Sequence, residues 1–215
     1  MKLYSSDLSP FASRPRVAIY AKALPVEILP PAGGDTKSVE YLAINPMGRL
    51  PALVLDDGTV IPESDTIVEY LADAFPQSGL RPTTAKDIAR GRLIARVTEL
   101  YVMTPGAGLF AQMNPASRDA AVVDAAFVQL DKGLTDLNLI MTEDTFAVGD
   151  TVTTADCALA PILFFVGVFG MAFQRGDLLA GHGKIAAYWA RARQEPGIAK
   201  VLGEMQTALR ARTAG

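Results

Sequence analysis

The chain has 215 residues, half of them hydrophobic, which is enough for one large domain or two small ones with an apolar core. Its formal net charge is −3 and its lysines and arginines are scattered, which argues against a nucleic-acid or membrane-surface binding protein. A single histidine, His182, and a single cysteine, Cys157, exclude a metal site of such residues and an internal disulfide framework, so no metal is expected.

The N-terminal stretch MKLYSSDLSPF lacks the apolar run of a signal peptide, and a chain without disulfides fits a reducing compartment, so we expect a cytoplasmic protein. One stretch, residues 157–173, carries no charge, but it is short for a membrane span and is interrupted by a proline and two glycines. Thr153, three residues before Asp156, is typical of a helix capping box. We therefore interpret this stretch as a helix buried in a helical bundle rather than as a membrane segment.

Strand and helix signals alternate over the first third of the chain. In chain order they predict a strand at residues 2–4, a helix from about residue 10 or 13 to 23, a strand at 25–29, a short helix at 39–44, a hairpin at 51–61 and a helix from about 64. The hairpin is indicated by Asp56-Asp57-Gly58 between two apolar runs, and the last helix by Ser64 before acidic residues and an apolar periodic run. A hairpin beside strands joined by crossover helices makes the sheet mixed.

The rest of the chain carries only helical signals. Residues 75–84, FPQSGLRPTT, contain two prolines and a glycine and are typical of a linker. Helical runs then cover residues 87–103, 116–141, 154–173 and 185–209, with possible breaks at Pro105, Gly133 and Pro196. We predict an α/β domain at residues 1–76, a linker at 77–85 and a larger all-α domain at 86–215.

A first candidate for chemistry is NPMGRLPAL at residues 45–53, where Pro51 opens a strand. If the Leu50–Pro51 bond is cis, the N–H and C=O of Leu50 face outward and can pair with another peptide. An ordinary trans proline at a strand start is the alternative interpretation.

A second candidate is PESDTIVEYL at residues 62–71, which contains a helix start. A helix N-terminus offers unpaired N–H groups and a partial positive charge, so together with the Ser64 hydroxyl it suits a carboxylate. Glu63 beside it suits an ammonium group. Capping by Ser64, with Glu63 as a solvated charge, is the alternative.

The order of these motifs resembles that of the cytosolic glutathione S-transferases. A short strand is followed by SPFASRPRV, NPMGRLPAL and ESDTIVEYL, and an all-helical half carries TTAD at residues 153–156. No single motif is decisive, but the ordered set covers essentially the whole chain. The resemblance implies a thioredoxin-like N-terminal domain that binds glutathione as co-substrate, and a helical domain with a hydrophobic pocket for a small electrophile. It also implies a homodimer.

The resemblance assigns residues to glutathione. In such proteins the proline of the LPAL pattern is cis, so Leu50 and Pro51 are expected to hold the cysteinyl part, and Glu63 and Ser64 the γ-glutamyl end. Lys37 is assigned a place near the glycine carboxylate, with a solvated loop lysine as the alternative. The TTAD box is assigned to folding rather than to catalysis.

Ser9 is the candidate catalytic residue. Glutathione reacts as its thiolate, and a hydroxyl that donates a hydrogen bond to the sulfur favours that form, as does a helix N-terminus. Ser9 lies seven residues before Arg16, the offset of the catalytic residue in the serine-using and cysteine-using classes of this family. Omega-like members carry cysteine there, which supports thiol transfer, whereas serine favours conjugation, elimination or isomerisation. The alternative hydroxyls are Tyr4, Ser5, Ser6 and Ser13.

The pocket for the second substrate follows from the family geometry. Its expected lining is Leu8, Phe11, Tyr101, Met103, Phe110 and Met113, together with the last segment of the chain. Three phenylalanines at 164, 165 and 169 are expected in the core, Cys157 is expected to be a buried hydrophobic residue, and His182 is expected to be solvated in a Gly-His-Gly loop.

We therefore expect a serine-type glutathione transferase that acts on small, largely apolar electrophiles. A zeta-type isomerase ranks lower, because zeta members carry Ser-Ser-Cys where this chain has Ser9-Pro10-Phe11. Ether cleavage or dehalogenation uses the same thiolate and remains open. A non-catalytic binding protein on a transferase scaffold is the alternative from another class.

Pro15 departs from the family pattern. It has no N–H to donate to the Phe11 carbonyl, so we predict that the first turn after Ser9 is loose or 3₁₀-like. Regular helix would then begin near Ser13, and Ser9 would lie on a loop ahead of it.

Overall fold

The computed structural model describes residues 1–214. In chain order the described elements are β1 (Lys2–Tyr4), α1 (Pro10–Ala21), β2 (Glu27–Leu29), α2 (Val39–Ile44), β3 (Ala52–Val54), β4 (Val60–Pro62), α3 (Ser64–Ala74), α4 (Ala85–Val97), α5 (Thr104–Ala111), α6 (Ala120–Ile140), α7 (Thr154–Ala172), α8 (Gly183–Ala192) and α9 (Pro196–Ala214). Short 3₁₀ turns lie at Ala32–Gly34, Pro76–Ser78 and Pro115–Ser117, and a π-helical turn, Thr98–Met103, joins α4 to α5.

The described strands form one mixed sheet in the order β2-β1-β3-β4. β1 pairs in parallel with β2 through the crossover helix α1, and antiparallel with β3. The predicted hairpin between β3 and β4 is confirmed, and its turn has Gly58 at φ 87°, a conformation that glycine adopts without steric cost. With α1 to α3 this sheet forms a thioredoxin-like domain, so the predicted fold class is confirmed.

The helices from α4 onward form the all-α half, and α7 lies in its core. It packs against α1 and α4, and most of its residues are buried. Within residues 1–214, α7 is the one helix long and apolar enough to span a membrane, but 78% of its most apolar window is buried inside the protein. The predicted buried helix is thus confirmed. The limits predicted for the two domains and the linker stay a prediction.

Helix α1 differs from the prediction. It is α-helical from Pro10, so the loose first turn and the helix start near Ser13 are wrong. Ser9 caps the helix: its Oγ accepts from the N–H of Ala12 at 3.1 Å, and its carbonyl accepts from the N–H of Ser13 at 3.0 Å. Pro15 lies inside the helix because its fixed φ is helical, and burial of α1 against α3, α7 and α9 offsets the one missing donor.

Two other predicted breaks have different outcomes. Pro196 begins α9 and separates it from α8, as the sequence indicated. Gly133 does not interrupt α6. It permits a close approach instead, because a Cβ added there would lie 1.7 Å from the carbonyl oxygen of Tyr101 in the π-helical turn.

Candidate active site

Ser9 lies where the first helix begins and lines an open cleft of about 590 Å³ between the two halves of the chain. In the cap of α1 the Ser9 oxygen accepts a hydrogen bond, which leaves its O–H hydrogen available to donate outward. A hydroxyl at this position therefore combines capping with donation to a group in the cleft. The N-terminus of α1 adds a partial positive charge at the same place.

The structure separates the alternative hydroxyls. Ser13 is buried and donates to the Ser9 carbonyl at 2.8 Å, and the ring of Tyr4 packs edge-on against Tyr41. Ser5 is also buried. Ser6 is exposed and lines the same cleft as Ser9, so it is the alternative that the geometry retains.

Arg16 holds the loop that precedes Ser9. Its buried guanidinium donates to the carboxylate of Asp7, to the Asp7 carbonyl at 3.0 Å and to Ser13 Oγ at 3.1 Å. It also forms an ion pair with Glu204 of α9 at 3.1 Å. The sequence provided Arg16 only as a spacing marker. Its role depends on a contact with a residue near the other end of the chain, which no local pattern shows.

A second groove of about 230 Å³ brings together four residues predicted to hold glutathione. Its lining is Phe11, Asn45, Met47, Arg49, Leu50, Pro51, Pro62, Glu63, Ser64 and Glu99. The Leu50–Pro51 bond is cis, as the resemblance implied. Leu50 also borders a neighbouring groove with Ser6 and Asp7, so it lies between the Ser9 loop and the start of α3.

The turn before Leu50 is fixed by side chains. The carbonyl of Arg49 accepts from the Tyr41 hydroxyl at 2.6 Å and from the Asn45 amide at 2.9 Å. Gly48 in this turn has φ 58°, a conformation that favours glycine. These contacts preorganise the backbone of Leu50.

Glu63 has a strained backbone. Its φ is 69°, which is rare for a residue other than glycine, and it is the residue before α3. Such conformations cluster at binding and catalytic sites, where the surrounding structure maintains them. Glu63 itself is exposed, whereas Ser64 is 4% exposed at the first position of the helix.

Lys37 is exposed, and the structure does not place it among the residues that line these two grooves. Its Nζ lies near Gly48, 3.4 Å from where a Cβ would stand. It is therefore beside the turn that precedes Leu50, at the border of the candidate glutathione groove.

The open cleft is mainly apolar. Its lining is Ser6, Leu8, Ser9, Pro10, Phe110, Met113, Asn114, Phe165, Val168, Leu209, Arg212 and Thr213. Leu8, Phe110, Met113 and the last segment of the chain are thus placed where the second-substrate pocket was expected. Phe165 is buried, as expected for a core residue, and also faces this cleft.

Three residues expected in this pocket lie elsewhere. Phe11 lines the groove with Glu63 instead. Tyr101 lines a separate groove against α6, and Met103 is buried. The π-helical turn explains the last two, because its wider repeat shifts the faces that its side chains present relative to a regular α-helix.

Sequence reasoning missed a pair of charged residues at the candidate glutathione groove. Arg14 is 1% exposed and donates to the carboxylate of Glu99 at 2.9 Å. Its guanidinium also lies 5.0 Å from the ring centre of Phe11. Glu99 therefore brings a carboxylate from the helical half to the groove, next to Glu63.

The residues assigned to folding form a buried capping box at the start of α7. The carboxylate of Asp156 accepts from the N–H of Thr153 at 2.8 Å, from the Thr153 hydroxyl at 3.0 Å and from the N–H of Ala147 at 2.9 Å. Burial raises the pKa of this carboxyl, and the hydrogen bonds oppose that shift.

Of the two lone residues, Cys157 is buried as expected, but the prediction for His182 is wrong. His182 is 6% exposed, and its Nε2 lies 3.3 Å from the carboxylate of Asp131 on α6. Packing of the loop before α8 against α6 buries the ring. Within residues 1–214 no cluster of histidine, cysteine and acidic residues suited to a metal is found.

These features define a class: a thioredoxin-like domain with a cis-proline loop, joined to a helical domain across an apolar cleft. Residues 3–79 match the family described as glutathione S-transferase, N-terminal domain, and residues 101–196 match glutathione S-transferase, C-terminal domain.

Individual relatives agree with this class. Glutathione S-transferase 3 of Zea mays is 30% identical over 94% of this chain and 93% of its own length. Maleylacetoacetate isomerase of Pseudomonas aeruginosa is 29% identical over 85% of this chain and 92% of its own. A solved glutathione transferase of Populus trichocarpa, 26% identical, superposes with a TM-score of 0.79 over 95% of this chain and 98% of its own. The chain belongs to the glutathione S-transferase family and is a transferase.

Proposed function

We propose that this protein converts the thiol of glutathione to its thiolate and directs it at small, largely apolar electrophiles. The observation that carries the proposal is the position of Ser9, which lines the apolar cleft while its oxygen caps α1. The hydroxyl hydrogen is thereby available to a sulfur atom at the cleft, and the apolar walls suit an electrophile beside it.

The groove lined by Leu50, Glu63 and Ser64 suits glutathione as substrate. The outward backbone groups at Leu50 suit pairing with the cysteinyl part, since the cis bond and the fixed turn preorganise this edge. The Ser64 hydroxyl and the N-terminus of α3 suit the γ-glutamyl carboxylate. Glu63 suits the ammonium group, and Lys37 suits the glycine carboxylate at the border of the groove.

The chemistry needs no strong base. A free thiol has a pKa of about 8.5, so only a few per cent is thiolate at neutral pH. Donation from Ser9 and the N-terminus of α1 both favour the thiolate, and each unit of lowered pKa corresponds to about 1.4 kcal/mol. The thiol proton passes to solvent, and the thiolate sulfur attacks the electrophile held beside it in the cleft.

A second candidate is isomerisation, in which glutathione adds to an unsaturated substrate and is released again. The observation that favours it is the similarity to the maleylacetoacetate isomerase of Pseudomonas aeruginosa. The Ser9-Pro10-Phe11 sequence argues against it for the reason given above. Ether cleavage and dehalogenation use the same thiolate and are distinguished by substrate.

We also propose that the protein is a cytoplasmic homodimer. The family is largely cytosolic, and the one cysteine is buried and free, which suits a reducing compartment. Support for a dimer comes from large apolar residues exposed along α4 and the π-helical turn, namely Leu93, Leu100 and Tyr101, which are 39–49% exposed. Analytical ultracentrifugation tests the dimer, and a monomer at micromolar concentration would contradict it.

The proposed function is tested by retention on immobilised glutathione and by turnover of 1-chloro-2,4-dinitrobenzene. We expect the wild type to be retained and active. Ser9→Ala should lower kcat/KM at pH 7 by about eight- to twenty-five-fold, because a thiol pKa that rises by about one to two units to about 8.5 leaves that much less thiolate.

The matched comparison is Ser6→Ala, which removes the other hydroxyl of the same cleft and should lower kcat/KM less. A larger loss in Ser6→Ala would move the catalytic role to Ser6. Lack of retention and of turnover in the wild type would favour a non-catalytic protein on a transferase scaffold.

A further inference from the structure

The last turn of α9 brings a positive charge to the cleft that contains Ser9. Arg212 and Thr213 line it together with apolar residues from α5 and α7. Among the described residues that line the cleft, Arg212 carries the only charge. An apolar cleft with a single cation is complementary to an apolar molecule with a single negative charge.

We propose that Arg212 selects electrophiles that carry a carboxylate or a comparable anionic group. The inference rests on the proposed function and narrows its substrate class. The reactive carbon of the substrate lies at Ser9, where the thiolate is held, and its acid group lies at Arg212. Arg212 is a specificity-determining residue in this arrangement and takes no part in activating the thiol.

Other arginines near the cleft have evident structural roles. Arg16 is buried and bound to Asp7 and Glu204. Arg118 donates to the carbonyls of Gln112 and Met113, which holds the turn after α5. Arg212, by contrast, is exposed, and its place in the cleft puts its charge where a second substrate binds.

The chemistry of a guanidinium fits this role. Its planar N–H groups match the two oxygens of a carboxylate, which gives orientation as well as attraction. Because Arg212 is exposed, water and salt weaken the attraction, and we expect an effect of about three- to fivefold on kcat/KM rather than an absolute requirement. The cleft, at about 590 Å³, has the size of a small-molecule site.

The test compares 4-chloro-3-nitrobenzoate with 4-chloro-3-nitrobenzamide, two aryl chlorides of similar shape that differ in charge. In both, the thiolate sulfur bonds to the ring carbon that carries chlorine, and chloride leaves with the bonding electrons. The value of kcat/KM for each is divided by its uncatalysed rate with glutathione. The acid-to-amide ratio then reports recognition of charge.

We expect Arg212→Gln to lower this ratio by about three- to fivefold relative to the wild type. Arg210→Gln is the matched control, since it removes the same charge from an exposed residue of the same helix that does not line the cleft. It should change the ratio by less than about twofold. Arg212→Lys, which keeps the charge but loses the planar N–H donors of the guanidinium, should give an intermediate ratio. High salt should lower the wild-type ratio toward that of Arg212→Gln.

The experiment distinguishes failure of this inference from failure of the proposed function. If the wild type turns over both probes and Arg212→Gln leaves the ratio unchanged, the inference is wrong and the proposed function stands. If the wild type turns over neither probe and is not retained on immobilised glutathione, both the proposed function and the inference that rests on it are wrong. Thermal unfolding of each variant, followed by circular dichroism, shows that the compared proteins are folded.

Discussion

The Thr-x-x-Asp pattern occurs at two helix starts in this chain, and the two copies differ in burial. At α4, the exposed Thr84 Oγ1 accepts from the N–H of Asp87 at 3.1 Å and donates to the Asp87 carboxylate at 2.7 Å. At α7 the box is buried, and Asp156 also accepts from the N–H of Ala147 across a loop. Asp156→Ala leaves two buried backbone N–H groups without an acceptor, at about 1–3 kcal/mol each. We therefore expect it to lower the free energy of unfolding by about 3–5 kcal/mol. Asp87→Ala removes an exposed hydrogen bond and a negative charge in the first turn, and should lower it by only about 0.5–1 kcal/mol.

Urea unfolding at neutral pH, followed by circular dichroism, measures both values. Asp156→Asn keeps one acceptor oxygen, so it should fall between the wild type and Asp156→Ala, and it provides a folded protein if the alanine variant is too unstable. Equal losses in the Asp87 and Asp156 variants would refute the reasoning from burial. A stable Asp156→Ala protein without transferase activity would refute the assignment of the box to folding.

Three further predictions concern the site and the helix packing. Ser9→Ala should raise the apparent pKa in the pH profile of kcat/KM toward the free-thiol value of about 8.5. The loss of activity should therefore be largest at acidic pH and shrink as pH rises. An unshifted profile would contradict donation to the sulfur. Ser64→Ala should raise KM for glutathione by about tenfold with a small change in kcat. Steady-state kinetics at saturating electrophile measures both values. A loss confined to kcat would contradict a binding role. Gly133→Ala should lower the free energy of unfolding, measured in urea, by about 3 kcal/mol, because the added Cβ meets the Tyr101 carbonyl. Gly203→Ala has nothing within 4 Å of its added Cβ and should raise that free energy by up to about 1 kcal/mol.

Local signals in the sequence were sufficient for most of the fold. Three features depend only on residues close together in the sequence and were predicted from it. They are the hairpin at Asp57-Gly58, the start of α3 at Ser64 and the start of α9 at Pro196. The prediction about the start of α1 was wrong because a local rule about Pro15 was applied where burial of the whole helix has the larger effect. His182 was misjudged for the same reason, since its burial comes from α6.

The site was less accessible to sequence reasoning. Arg14 and Glu99 are 85 residues apart in the sequence, and Arg16 and Glu204 are more than twice as far apart. No spacing pattern therefore reveals either pair. Tyr101 was placed in the wrong groove because a π-helical turn is not visible as a periodicity. Helical spacing predicts which face a residue occupies only as long as the helix is regular.

Helix α9 has consequences for engineering this protein. Glu204 forms an ion pair with Arg16, which holds the loop before Ser9, while Leu209, Arg212 and Thr213 line the cleft. A mutant library aimed at new substrates can therefore diversify the last two turns and leave Glu204 fixed. A single-residue deletion between Glu204 and Leu209 would be a different kind of change, because it would rotate the cleft residues by about 100° and leave the anchor in place. Such a deletion would replace, in one step, all the side chains that α9 presents to the cleft.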